Sequence, residues 1–308
     1  MPAKKSRKKP AARPFAKATV RTIKGWKALV LENETLAITV LPEYGGWIYS
    51  AFHKPRGVEL LWQCPRGLCD RHDPPVIPDP LLAYRARTLG AWPEIFPHGS
   101  GPTEAYGVKL PMHGEVVQRS WQHEILKGRK TEALAGMSVE CHLLPLRLER
   151  RLRVAAGQPV FFLEETATNY SDVPVDFMWG HHPLFGKPLL SEHSRIFAPA
   201  RQWLDDDAFR PSPWPGNKAA CPKANAGTGE MFYLDALADG WCALVNPEEP
   251  LGIALKWDLE VFPHVWIWRE SNSSKGYPYF GRTYAVALEP FSNLPGARQR
   301  GEKLLHLE

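Results

Sequence analysis

Four short stretches concentrate the side chains able to move protons or hold ions. They are LPMHGEV with His113, WGHHPLFG with His181 and His182, VALEPFSNLPG with Glu289, and GAWPEIFPHGSG with Trp92, Glu94 and His98. A carboxylate and an imidazole form an acid–base pair whose ordinary pKa values, about 4.3 and about 6.5, let one accept a proton while the other donates. Two carboxylates, Glu94 or Glu115 with Glu289, would instead suit hydrolysis of a glycosidic bond. His113 with one of the paired histidines is a conceivable metal site, but no compact ligand motif surrounds them. Each residue also has a plain structural reading: a His beside a Gly in a hydrogen-bonded loop, or a Glu ending a strand before Pro290. No G-x-S-x-G elbow is present, and no Gly-rich loop follows a strand and opens a helix, so serine-hydrolase and nucleotide-binding chemistries have no support.

The elements that must position these residues read as strands. Leu36–Leu41 (LAITVL) runs through the turn Pro42–Gly46 into Trp47–Phe52. Leu146–Val154 meets Val160–Asn169 across AAGQP, and Asn169–Pro174 turns into Val175–Gly180. Val261–Trp268 and Thr283–Glu289 are rich in β-branched and aromatic residues. Short runs of this type, with few stretches of helical period, predict an all-β protein: a large twisted antiparallel β-sandwich. Adjacent His181 and His182 on a strand would point to opposite faces, so one of them faces any given cleft.

No boundary interrupts this pattern, which predicts a single domain over residues 25–308. Thirty Pro and 24 Gly make about 18% of the chain, turn-rich but below the level of a disordered composition. The net charge of +5 is misleading. Residues 1–24 hold nine Lys/Arg and no acid, which leaves 29 basic against 33 acidic residues in the body. The basic character belongs to a terminal arm, expected to be solvated and disordered, and a nucleic-acid-binding body is not implied except through that arm. The arm lacks the apolar core of a secretory signal, and no apolar run approaches the roughly 20 residues of a membrane helix. Five scattered cysteines, with Cys64 and Cys69 as C-x4-C, predict reduced structural thiols and a cytoplasmic location. Twelve Trp suit either an aromatic core or stacking on sugar rings.

In chain order, LAITVLPEYGGWIYSAF, GAWPEIFPHGSG with LPMHGEV, TATNYSDVPVDFMWGHHPLFG and VALEPFSNLPG together resemble the aldose 1-epimerase (galactose mutarotase-like) family over roughly residues 28–295. The resemblance implies a sugar cleft on one concave sheet. It implies His182, which directly precedes Pro183, as general acid, Glu289 as general base and His113 as the histidine that polarises the sugar near its ring oxygen. Trp92, Glu94 and Trp268 are expected at the pocket wall. No metal or organic cofactor is implied, and the expected partner is a small sugar. The reaction is anomer exchange: the C1 hydroxyl loses a proton, the ring oxygen gains one, the ring opens, and closure on the other carbonyl face inverts the centre.

The chain departs from the galactose-type pattern. Where those enzymes have Asn-x-x-His-Gly-Gly and His-x-Tyr-Phe-Asn, residues 109–115 read KLPMHGE and residues 182–186 read HPLFG. A divergent branch is expected, with the sugar unspecified. The family's aspartate for distal hydroxyls has no clear counterpart, the run Asp205-Asp206-Asp207 reading equally as a solvated loop. Arg85, Arg87 and Arg119 near the His-Gly segment leave a hexose 6-phosphate open as substrate. The alternatives are a carbohydrate-binding protein without catalysis and a sandwich with lyase or hydrolase activity.

Overall fold

A computed structural model describes residues 14–308, and its regular elements are almost all strands. Nine antiparallel strands form the first sheet, in the order Phe161–Asn169, Leu146–Ala155, Glu132–Glu140, Gln122–Lys130, Ala16–Ile23, Trp26–Asn33, Leu36–Leu41, Trp47–His53, Val58–Glu59. The second sheet runs Pro211–Pro213, Gln202–Asp205, Thr228–Asp235, His264–Ser271, Tyr284–Phe291, Gly180–His181, Glu94–Ile95, with Leu184–Phe185 also paired to Tyr284–Phe291. A smaller sheet of Arg195–Phe197, Trp241–Asn246 and Leu251–Lys256 lies beside them. The expected antiparallel sandwich is the observed architecture, and Leu36–Leu41 has the predicted bounds.

One expectation is corrected. Ala16–Ile23 lies inside the stretch assigned to the basic arm, yet it pairs along its whole length with Trp26–Asn33. Charge masked an alternation of Ala16, Ala18 and Val20 with Lys17, Thr19 and Arg21. Ala16 and Ala18 bury, as one face of a strand should. The sheet therefore begins at Ala16, nine residues before position 25; residues 1–13 of the expected arm lie outside the described residues.

The main core fills the space between the sheets, with Leu29, Leu31, Ile38, Leu148, Leu152, Ile267, Val286 and Leu288 among its members. The second sheet is also covered on its outer face. There Trp266, Tyr233 and Phe291 form one cluster, and Trp62, Leu184, Ala285 and Ala287 another. Double coverage explains why every residue of Tyr284–Phe291 is buried, and why that strand is apolar on both faces apart from Glu289. None of the five cysteines is paired, and four are buried. Among the described residues no helix is long and apolar enough to cross a membrane.

Candidate active site

The outer face of the second sheet brings three of the expected residues together. Glu289 stands on Tyr284–Phe291 beside Trp266, its partner across the next strand. The registers Gly180↔Phe291 and Leu184↔Ala287 bracket His182 opposite Glu289. Nδ1 of His182 lies 3.3 Å from Oε1 of Glu289. That contact is off the axis of a hydrogen bond, and His182 Nδ1 has no hydrogen-bonding partner among the described residues. His113 packs edge-on to His182 with ring centroids 5.6 Å apart, and its Nδ1 is likewise unpartnered. Trp268 stands edge-on to His182 at 6.4 Å.

His113 arrives from a loop rather than a strand, in a left-handed conformation at φ 62°. Its backbone N–H donates to Ser100 O at 3.0 Å. Gly114 follows at φ 74° and bridges to Phe96; a Cβ there would lie 2.3 Å from the Phe96 carbonyl oxygen. The His-Gly pair is thus a packing requirement: only glycine allows the loop to lie close enough to bring His113 to the sheet. Close by, His98 Nε2 donates to Gly101 O at 2.7 Å, and burial lowers the His98 pKa to about 4.

Burial reverses the proton arrangement that ordinary pKa values suggest. It pushes Glu289 well above the usual carboxylate range, lowers His182 to about 3 and holds His113 well below its usual value. A desolvated carboxyl–imidazole pair favours its neutral form, so in this closed arrangement Glu289 carries the proton and both histidines are neutral.

Trp92 and Glu94, expected at the pocket wall, sit elsewhere. Glu94 is paired in register with His181, not His182, and strand alternation sends that pair to the other face. There Arg150 Nε donates to Glu165 at 2.6 Å, its Nη1 to Gly46 O at 2.9 Å, and its Nη2 to Glu94. His181 lies between the same two carboxylates, at 3.0 Å from Glu94 and 3.1 Å from Glu165. Burial opposes the imidazolium, but Glu94 and Glu165 outweigh it and raise His181 to about 10. For Glu165, burial is likewise outweighed, by Arg150 and His181, and its pKa is lowered to about 2. With both His181 nitrogens donating, Trp92 Nε1 at 3.4 Å packs rather than bonds. Glu94, Glu165 and His181 have the spacing of a metal triad. The Arg150 guanidinium and the His181 imidazolium already neutralise the two carboxylates, so the donor set does not fit a divalent ion.

Two residues near the site were not singled out from the sequence. Tyr84, on the five-residue helix Ala83–Arg87, lies 4.4 Å from His113 edge-on and 6.3 Å from His182 in a stack. Tyr279 stands 5.8 Å from Trp268. Neither occurs in a motif, and both come from loop segments whose path a sequence does not disclose. Of the arginines considered, only Arg85 is near the site: its charge acts on His113 and Tyr279. Arg87 lies over Tyr44 and Arg119 beside Cys141. In the acidic run, Asp205 pairs with Arg210, whereas Asp206 accepts from the hydroxyl of Tyr233, on the face that Glu289 shares.

No curated protein matches the chain by sequence. Solved structures match it over nearly its full length. A candidate aldose 1-epimerase of Klebsiella pneumoniae has a TM-score of 0.77 and 18% identity, covering 97% of this chain and 81% of its own. A galactose mutarotase-like protein of Clostridium acetobutylicum has a TM-score of 0.67 and 12% identity, covering 95% and 94%. Galactose 1-epimerase of Lactobacillus acidophilus has a TM-score of 0.53 and 12% identity, covering 90% and 89%. These likenesses establish the galactose mutarotase-like fold. Residues 96–306, well over half of the chain and including all three residues of the acid–base cluster, match the domain of unknown function DUF4432, so the protein belongs to that family, a divergent branch built on the galactose mutarotase-like fold.

Proposed function

We propose that the protein is a cofactor-independent mutarotase that exchanges the α and β anomers of a hexose at the Glu289–His182–His113 cluster. The observation that carries this reading is the meeting of a carboxyl and two imidazoles on one sheet face, one imidazole at 3.3 Å from the carboxyl. Purely structural residues do not need two buried ring nitrogens left without partners. Hydroxyls and the ring oxygen of a pyranose supply those partners.

The pair works with a single proton. Glu289 as base takes the C1 hydroxyl proton while His182 as acid protonates the ring oxygen, and the C1–O5 bond breaks to leave the aldehyde. Rotation about C1–C2 presents the other carbonyl face. Closure then re-forms the C1–O5 bond, returning the ring-oxygen proton to His182 and the proton held by Glu289 to the former carbonyl oxygen, now the C1 hydroxyl. The pair ends with the proton count it began with. Before the sugar binds, that proton rests on Glu289; sugar hydroxyls replace lost solvation and let it pass to His182. His113 donates to or orients the ring oxygen, and Trp268 lines the pocket.

NMR exchange spectroscopy across glucose, galactose and other aldoses tests the reading, with Glu289→Gln as control. Acceleration above buffer that the variant loses supports it. Sugar binding without acceleration favours a carbohydrate-binding protein instead. A second reading, an anionic hexose such as a 6-phosphate, is favoured by Arg85, whose charge reaches His113 and which pairs with no carboxylate among the described residues. Hexose 6-phosphates in the same panel decide between the two.

A further inference from the structure

The acid–base cluster is closed: Glu289, His182 and His113 are buried at 2%, 7% and 7% exposure. A carboxyl and an imidazole 3.3 Å apart cannot straddle a six-membered ring. Some group must leave before a ligand enters. Three rings surround His182: His113, Trp268 and Tyr84. Trp268 stands on a strand paired on both sides, and its departure would break the sheet.

Tyr84 is buried, as are Ala83 and Ala86 beside it, but no strand ladder holds it. Its helix, Ala83–Arg87, lies in the long connection between Val58–Glu59 and Glu94–Ile95, which crosses from one sheet to the other. All but one of residues 70–80, just before it, are exposed. The helix and the single turn ahead of it have few ties. The Asp79 side chain accepts from Leu81 N at 2.9 Å, Arg66 donates to Arg85 O at 3.0 Å, and Tyr44 Oη donates to Arg87 O at 3.0 Å. One more bond, from Met112 N to Leu81 O at 2.9 Å, joins the turn directly to the residue before His113. The Tyr84 ring itself is wedged between Trp47, stacked at 5.9 Å, and the two imidazoles. It offers no hydrogen bond to His113 Nδ1 or His182 Nδ1, which stay orphaned beside it.

We propose that Tyr84 is a displaceable plug: its six-membered ring occupies the place of a pyranose ring, and outward movement of residues 79–87 opens the cluster and selects what enters. A ring of matching size leaves a void of matching size. Because Leu81 holds Met112, the same movement frees the His113 loop to adjust to the ligand. That the entering ligand is a sugar rests on the function proposed above; the opening itself does not.

Carbethoxylation by diethyl pyrocarbonate at pH 7 tests the plug without any sugar, with modification of His182 and His113 read by peptide mass spectrometry. Both imidazoles are neutral at that pH, so their labelling reports access. Tyr84→Ala is expected to label at least tenfold faster than wild type, and Tyr84→Phe, which keeps the ring, at the wild-type rate. A folded Tyr84→Ala protein that labels within twofold of wild type overturns the proposal, as does a Phe variant that labels like Ala. If Tyr84→Ala fails to fold, amide hydrogen exchange on the wild type decides. Residues 81–87 should exchange at least a hundredfold faster than Tyr284–Phe291, and equal protection overturns the proposal. A protein that passes these tests but accelerates no sugar keeps the plug and loses the mutarotase reading.

Discussion

Replacing Arg150 by methionine removes one charge from a buried group of four and keeps most of the side-chain volume. Glu94, Glu165, Arg150 and His181 balance two carboxylates against a guanidinium and an imidazolium, with Glu94 at 0% and Arg150 at 2% exposure. The variant leaves His181 alone between two carboxylates, and it strands Gly46 O, which had accepted from Nη1 at 2.9 Å. Removing one partner of a buried ion pair costs about 3–5 kcal/mol, because the remaining charge stays desolvated. The remedy open to the variant is protonation of a carboxyl. Glu165, now held at about 2, would lose its main cation and titrate above the ordinary carboxylate range in the folded state. A folded-state pKa raised above the unfolded value adds stability on the acid side, so the deficit relative to wild type should shrink as pH falls. Urea unfolding at pH 8 and pH 5 measures this: a deficit of about 3–5 kcal/mol at pH 8, reduced by about 1 kcal/mol or more at pH 5. Adding Glu94→Gln to Arg150→Met restores neutrality, and the double variant should be more stable than the single one. A deficit below about 1 kcal/mol, or one independent of pH and unrelieved by Glu94→Gln, would refute the charge-balance argument.

Three further outcomes follow from the site. Glu289→Gln should slow anomer exchange by about 10²–10⁴-fold, the usual worth of one acid–base group, with a urea midpoint no lower than wild type because it removes a carboxyl that burial disfavours. Exchange activity should stay level from pH 7 to pH 5, since burial lowers His182 to about 3; an acid limb centred near 6.5 would mean that the imidazole is open to water. His98, lowered to about 4, refuses a proton that the unfolded chain accepts, so its contribution to stability is lost as pH falls from 6.5 towards 4. His98→Gln should flatten that part of the urea-stability profile by up to one proton's slope, about 1.4 kcal/mol per pH unit.

The same sequence was legible to different depths at different places, and the reason is physical. Strand bounds such as Leu36–Leu41 and the opposite facing of His181 and His182 follow from a period of two, a local property. The pairing of His182 with Glu289 came from the family resemblance alone; His182 lies between the strands Gly180–His181 and Leu184–Phe185, whose registers against Tyr284–Phe291 hold it opposite Glu289. Ala16–Ile23 was missed because its small apolar face is interleaved with the lysines and arginines of a charged terminus. Glu94 was misplaced because a carboxyl beside a Trp in a polar segment reads alike whether it meets a ligand or Arg150, which is 56 residues away in the chain. Tyr84 left no signal at all: nothing local distinguishes a tyrosine on an exposed turn from one driven inward. Burial also decides the protonation states. Ordinary pKa values place the proton on the imidazole, whereas removing water from both groups places it on Glu289. The closed cluster is therefore neutral in every member, and each step that charges it must be matched by a ligand or by water entering. That requirement links the two devices of this fold. The salt-linked network behind the strand carries its charges in permanent balance, while the cluster in front holds one mobile proton behind a single tyrosine ring.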